Sequence, residues 1–193
     1  MGTIHTPDPV LPLAAVFTHY PEAIEWAKEK IEANWGKIVL VSDAFPFEQT
    51  HYYDPTMGPH LRKIFFAMEP LMDPAKLAEM KNQSNSWEET FAREFRLRFP
   101  ETEVRPLNVD PGYVDLGKLV LASSKDFYHR IYVGQGIYAE ITLTFSKGKW
   151  RDFPWTFPDY REETYHPFFE RCRDFIFQQR KLARSAASRP EGG

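Results

Sequence analysis

Leu13-Ala-Ala-Val-Phe-Thr-His-Tyr20-Pro21-Glu-Ala-Ile24-Glu-Trp-Ala27-Lys-Glu-Lys-Ile31-Glu-Ala-Asn-Trp35-Gly36-Lys37-Ile-Val-Leu-Val-Ser42 is the stretch whose reading decides the fold. Leu13 to Phe17 is a short apolar run, the pattern of a buried strand. Pro21 stands where a first helical position falls, since its missing N–H is not needed there. Ile24, Ala27, Ile31 and Trp35 follow at helical spacing, and Gly36 supplies the stop. Ile-Val-Leu-Val within Lys37 to Ser42 is a second buried strand. The chain therefore opens strand, helix, strand.

Toward the N-terminus, Met1 to Pro12 holds three prolines and no periodicity, and reads as an extended arm. It lacks the basic start and apolar core of a secretory signal. Toward the C-terminus, Phe45 to Gly58 has two prolines, a glycine and no period, so it is a long loop, a place where function concentrates. Leu61 to Leu71 predicts a third strand. Asp73-Pro74 is a helix start, with a cap residue followed by proline. Leu77, Met80, Ser84, Trp87, Phe91 and Phe95 mark one face of a helix of about six turns, which Asn82 to Asn85 would bend or break. Thr102 to Val109 is a fourth strand interrupted by Pro106. The order strand, helix, strand, strand, helix, strand predicts an α+β fold with a ferredoxin-like start. The sheet is expected to be mainly antiparallel, with the helices on one face.

Beyond it, Asp110-Pro-Gly-Tyr113 predicts a tight turn. Asp115 caps a short helix, unless Lys118 to Ala122 is a strand. Ile137 to Phe145 is the clearest strand, with Ile137, Ala139, Ile141, Leu143 and Phe145 on one face and Tyr138, Glu140, Thr142 and Thr144 on the other. A hairpin at Ser146 to Lys149 leads into Trp150 to Phe153. Tyr165, Phe168, Phe169, Cys172, Phe175 and Ile176 predict a last helix, and residues 185–193 a disordered tail after a single domain spanning 1–184.

With 193 residues the chain can bury one core. A net charge of -3 argues against a nucleic-acid footprint. No apolar run reaches the length of a membrane span. The lone cysteine, Cys172, permits no internal disulfide, sits on the apolar face of the last helix and fits a reducing cytoplasm.

Asn-Val-Asp-Pro-Gly-Tyr at 108–113, Lys-Leu-Val-Leu-Ala at 118–122, Lys-Asp-Phe-Tyr-His-Arg-Ile-Tyr at 125–132, Gly-Ile-Tyr-Ala-Glu at 136–140 and Trp-Thr-Phe-Pro-Asp-Tyr at 155–160 resemble a bacterial family, domain of unknown function 4416. The resemblance extends to the opening Met-Gly-Thr-Ile and the 45–58 loop. It implies no activity, although some family members are labelled GTP-binding protein. The chain holds no Gly-x-x-x-x-Gly-Lys-Ser/Thr phosphate loop, and Ser123-Ser-Lys125-Asp126 matches a guanine-binding Asn-Lys-x-Asp motif only in part.

Several residues are suited to chemistry. Glu140, mid-strand beside Tyr138 and Thr142, suits a general base; its plainer role is a carboxylate on a wetted sheet face. Lys125, His129 and Arg130 form a cationic cluster that suits phosphate or carboxylate, or simply a charged connection. Asp110 and Asp159 would hold a cation if brought together, although Asp in such turns more often bonds its own backbone. His51, Tyr52, Tyr53 and Asp54 lie on the long loop as a lid, and His19 would add a ligand. No His-x-x-x-His or Glu-x-x-His spacing supports a metal, and no cofactor is implied. Trp150, Trp155, Phe157 and Tyr160 suit ring stacking or a packed turn.

Two functions follow. In the first, a small anionic ligand, phosphorylated or nucleotide-like, sits on Lys125, Arg130, Tyr138 and Tyr113, with Glu140, His129 and Asp110 as acid–base groups. GTP binding without a phosphate loop is a variant of it. In the second, the protein is a non-catalytic module whose aromatic segment docks a protein partner.

Overall fold

A computed structural model describes residues 2–49 and 53–187, with side chains to Ser185. The elements run β1 (Leu11–Thr18), α1 (Pro21–Asn34), β2 (Lys37–Val41), β3 (Phe45–Pro46), α2 (Asp54–Met57), β4 (Arg62–Glu69), α3 (Leu77–Arg98), β5 (Asn108–Val114), β6 (Lys118–Ser123), β7 (Ile131–Gly134), β8 (Ile137–Ser146), β9 (Lys149–Arg151) and α4 (His166–Ala187). The fold is α+β. One sheet of nine strands runs β2-β4-β1-β5-β6-β8-β7, with β3 against β4, β9 against β8, and every pair antiparallel.

The opening forms for the expected reasons. Pro21 occupies the first turn of α1, the Trp35 N–H closes its end on Ile31 O at 2.8 Å, and Gly36 leaves it with a φ of +121°. β1 is apolar on both sides because it is central. Ala14 and Val16 meet Ala23, Ala27 and Ile31 of α1 and Trp87 and Phe91 of α3 on one face. On the other face Leu13 and Ala15 meet Phe168, Phe169, Cys172 and Ile176 of α4. The two early helices therefore share a face, and α4 covers the opposite one, correcting the single helical face expected. A second apolar stripe on α4 requires a second sheet face to bury it.

Other expectations shift. Asp110 to Tyr113 is not a turn but the middle of β5, because β1 pairs along it from Asn108 to Val114. Pro111 is tolerated because β6 pairs only with Gly112 to Val114, leaving no ladder bond for a proline N–H to make. Gly112 serves a close approach: a Cβ there would run into the Val120 carbonyl of β6. The strand after α3 begins only at Asn108, so 102–107 is irregular. Asp115 caps no helix; its Oδ1 accepts from the Gly117 and Lys118 N–H groups at 2.6 and 2.9 Å and turns the chain into β6. α3 runs unbroken through 82–85, since Asn82 bonds outward to Gln135 O at 3.1 Å. β7, at the sheet edge, was not anticipated.

In β8 one extra residue falls between the pairs Val120–Ile141 and Leu119–Leu143. This bulge reverses the side-chain alternation. Ile137 and Ala139 pack with Val120 and Ala122, whereas Leu143 and Phe145 join Leu119 and Leu121 in the core under α4. The alternation read through Phe145 thus holds only as far as Ile141.

α4 continues through Ala187, so residues 185–187 are helical rather than tail, and 188–193 lie outside the described residues. No described helix is long and apolar enough to cross a membrane.

Candidate functional site

Arg130, His129 and Glu140 meet as the sequence suggested, but as a closed pair. The Arg130 N–H closes a turn on Phe127 O at 2.9 Å, which folds 124–130 back over β8. Arg130 Nε donates to Glu140 Oε2 at 2.7 Å, and the same guanidinium donates to Ser123 Oγ at 2.6 Å and Lys125 O at 3.0 Å. His129 Nε2 stands 3.2 Å from the same carboxylate oxygen, while Thr142 Oγ1 stands 3.4 Å from the other. The Glu140 and Arg130 side chains are 1% and 3% exposed, so the wetted-face role for Glu140 does not apply.

Aromatic rings wall this pair. His129 stacks on Trp155 at 5.4 Å and 9°, and Trp155 on Phe153 at 4.8 Å and 4°. The guanidinium lies 4.6 Å from the Phe127 ring and 6.0 Å from that of Phe157. Among the described residues β8 has no neighbouring strand between β7 and β9, and side chains fill the gap. Trp155 Nε1 donates to Ile141 O at 3.1 Å and Thr156 Oγ1 to Thr142 O at 2.6 Å. Lys125 contributes main-chain groups, its N–H donating to Ser123 Oγ at 3.1 Å. Tyr138 is half-buried against Tyr132 at 5.4 Å.

Asp110 belongs to a different cluster, on the stretch of β5 that β6 does not reach. Lys81 Nζ donates to Asp110 Oδ1 at 2.9 Å and Asn108 to Oδ2 at 2.8 Å. Glu88 accepts the Val109 N–H at 2.8 Å and a two-pronged Arg105 at 2.7 and 3.1 Å, and Arg105 also bonds Asn108. These α3 side chains take over hydrogen bonds a neighbouring strand would have made. Burial raises the Asp110 pKa, but Lys81, Arg105 and Asn108 together outweigh it and leave the group below the ordinary Asp value. For Glu88 burial prevails over the same cations and the pKa rises.

Asp159 does not meet Asp110. It forms a buried ion pair with Lys63, both side chains 4% exposed. The Lys63 ammonium lies 4.4 Å from the Phe47 ring, 4.6 Å from Tyr160 and 5.1 Å from Phe17. Sequence reasoning missed this pair and the Lys81–Glu88 network. One signal was available: Lys81 and Glu88 stand seven apart on the apolar stripe of α3, where a solvated charge would not be placed.

His19 Nε2 lies 3.6 Å from Glu103, which accepts the Tyr20 hydroxyl at 2.5 Å. Burial and Glu103 push the Tyr20 phenol up to about 12. Cys172 is core, its thiol pushed up by burial. Trp150 and Tyr160 are buried and offer no stacking platform, while Phe157 is exposed. His51 and Tyr52 of the suggested lid lie outside the described residues; Tyr53 packs on Phe17 and Phe47. Among the described residues no group of three His, Cys, Asp or Glu is placed to hold a metal. Tyr113 lies apart from Glu140, on the wall of a cavity of about 340 Å³ beneath the N-terminal arm. Burial raises its pKa above the usual phenol value, against the pull of Lys118.

A family model described as domain of unknown function (DUF4416) matches residues 8–175. The chain belongs to this family. No curated protein and no solved structure matches it. The DUF4416 match takes in both buried clusters, the Lys63–Asp159 pair, β7 and the first half of α4 up to residue 175, and it ends before Arg180.

Proposed function

We propose that this DUF4416 protein is a polypeptide-docking module, with β7 and the 124–130 turn as contact surface and β7 of a second copy as occupant. What carries the reading is where exposed apolar side chains gather. Of the fourteen large apolar side chains exposed among the described residues, seven belong to this corner. Tyr128 is 88% exposed, Ile131 71% and Tyr132 60%, with Phe127 and Val133 beside them. Ile141, on the Ala139 face of β8, and Phe157, beside Arg130 on the Glu140 face, are exposed at the same corner. Concentrated exposed apolar surface marks interaction sites, whereas scattered residues do not.

β7 has a described strand on one side only. Edge strands are usually blunted with lysine, proline or bulges that turn the edge away; Ile131-Tyr132-Val133 carries no lysine or proline, and its register with β8 shifts only past Tyr132. The strand is self-complementary: a two-fold axis at Tyr132 sets Ile131 opposite Val133 of the second copy, as symmetric dimers require. The buried Arg130–Glu140 pair fixes the 124–130 turn beforehand, which limits the ordering cost of association. Sedimentation equilibrium is expected to show a monomer–dimer equilibrium in the micromolar range. Ile131→Lys should abolish it without lowering the melting temperature, because Ile131 is exposed. A wild-type chain that stays monomeric at every concentration sinks this reading.

We read the β2-β4-β1-β5 half as a ferredoxin-like unit; the strand order and the shared face of α1 and α3 support it. A cytoplasmic location belongs to the same reading, supported by the lone, buried Cys172.

A small anionic ligand is the second reading. Its support comes less from Arg130, whose Nε and Nη1 donors are committed to Glu140, Ser123 and Lys125 O, than from the cavity that Tyr113 lines. GTP is one candidate. A ligand that binds the native state raises the melting temperature. Titration with GTP and magnesium into the millimolar range is expected to do so if the anion is a nucleotide, and no shift removes GTP from consideration.

A further inference from the structure

Building on the second reading, we infer that the cavity between the N-terminal arm and the β5–β6 turn is an arm-gated site for a small monoanion with an apolar body, and that Asp8 is its resident carboxylate. The cavity, about 340 Å³, is at the small end of ligand pockets. Pro7, Val10, Pro74 and Leu116 give it apolar walls, and Tyr113 lines it beside them. Two cations reach it from separate elements, Lys118 on β6 and Arg180 on α4.

The two cations are held differently. Lys118 Nζ is 2.5 Å from Asp115 Oδ2, and Asp115 is itself fixed by two backbone N–H groups. Arg180 is 3.1 Å from Asp8 Oδ2 and donates to Pro9 O at 3.1 Å, while its Nε is buried with no hydrogen-bond partner. A buried donor left unpaired is costly, and a guanidinium recognises carboxylate and phosphate through a planar edge that includes Nε. The Arg180 side chain is 20% exposed and Asp8 69%, so water screens their pair strongly. The arm is anchored just after Asp8, where Val10 and Met72 exchange backbone hydrogen bonds at 2.9 and 2.8 Å; residues 2–9 have no regular structure. Asp8 can therefore swing out while the strand behind it stays in place. With Asp8 inside, the ionised lining (Lys118, Arg180, Asp115, Asp8) sums to zero; with Asp8 outside, it carries one positive charge, which selects a monoanion.

Benzoate and methyl phenyl phosphate, a diester that carries a single negative charge, separate the carboxylate from the phosphoryl source, and benzyl alcohol is the neutral control. Affinities are measured by NMR titration of wild type, Asp8→Asn, Arg180→Gln and Arg180→Lys. One or both anions are expected to bind wild type, and benzyl alcohol not. Asp8→Asn should bind roughly threefold tighter, the size of a screened ion pair. Arg180→Gln should weaken binding at least about tenfold, as loss of a charged hydrogen-bond donor does. Arg180→Lys keeps the charge and the fold but loses the planar edge, and should fall between. Equal affinity of wild type and Asp8→Asn, with Arg180→Gln still weak, overturns the gating and leaves the anion reading standing. Anion binding unaffected by either Arg180 variant overturns the site. No anion binding to wild type or Asp8→Asn overturns both.

Discussion

Arg130→Ala is expected to destabilise the protein by about 3–5 kcal/mol, the usual result of removing one partner from a buried ion pair. That is a large share of a domain's net stability. The Glu140 carboxylate is 1% exposed and would keep only His129 and Thr142 as partners. The 124–130 turn would lose the guanidinium that ties Ser123, Lys125 O and Glu140 together. Urea unfolding followed by circular dichroism measures the loss. Arg130→Met with Glu140→Gln should recover part of it, since no unpaired charge then remains buried. An Arg130 that served as an anion holder would give the opposite result, weak ligand binding at almost unchanged stability.

Lys63→Met should cost a similar 3–5 kcal/mol or so, because it strands Asp159 in the core among Tyr160, Tyr165 and Phe17. Burial and then the Asp159 charge itself hold the Tyr160 and Tyr165 phenols well above their ordinary value, so both stay neutral and neither supplies a countercharge. Lys63→Met with Asp159→Asn should be less damaging than the two single changes summed. A double-mutant cycle reads that coupling directly. A coupling near zero would mean that the three rings around Lys63, rather than Asp159, hold the ammonium in place.

Much of this fold was legible. The first strand–helix–strand unit and the apolar stripes of α3 and α4 follow from spacing alone, because periodicity reports which face is buried. Asp110 to Tyr113 misled because proline and glycine favour turns locally, while the pairing with β1 is a tertiary fact invisible at that range. The β8 bulge could not be read either, since an apolar run has the same composition on both sides of an inserted residue. At the candidate site, the meeting of His129, Arg130 and Glu140 was legible from the alternation of β8 and the cationic cluster that shortly precedes it. That the pair would be closed and buried was not, because it depends on Trp155 and Thr156 returning from a distant segment to cover it. The arm cavity escaped notice for a similar reason: Asp8 and Arg180 are joined only through the packing of α4.

The docking account depends on β7 finding a strand on its open side, and hydrogen exchange at that edge tests it most directly. The outward-facing amides of Ile131 to Gly134 should become more protected as protein concentration rises through the dimerisation range, and the opposite edge, β2, should not change. Ile131→Lys should abolish that dependence. Exchange at β7 that is fast and the same at every concentration would contradict the account.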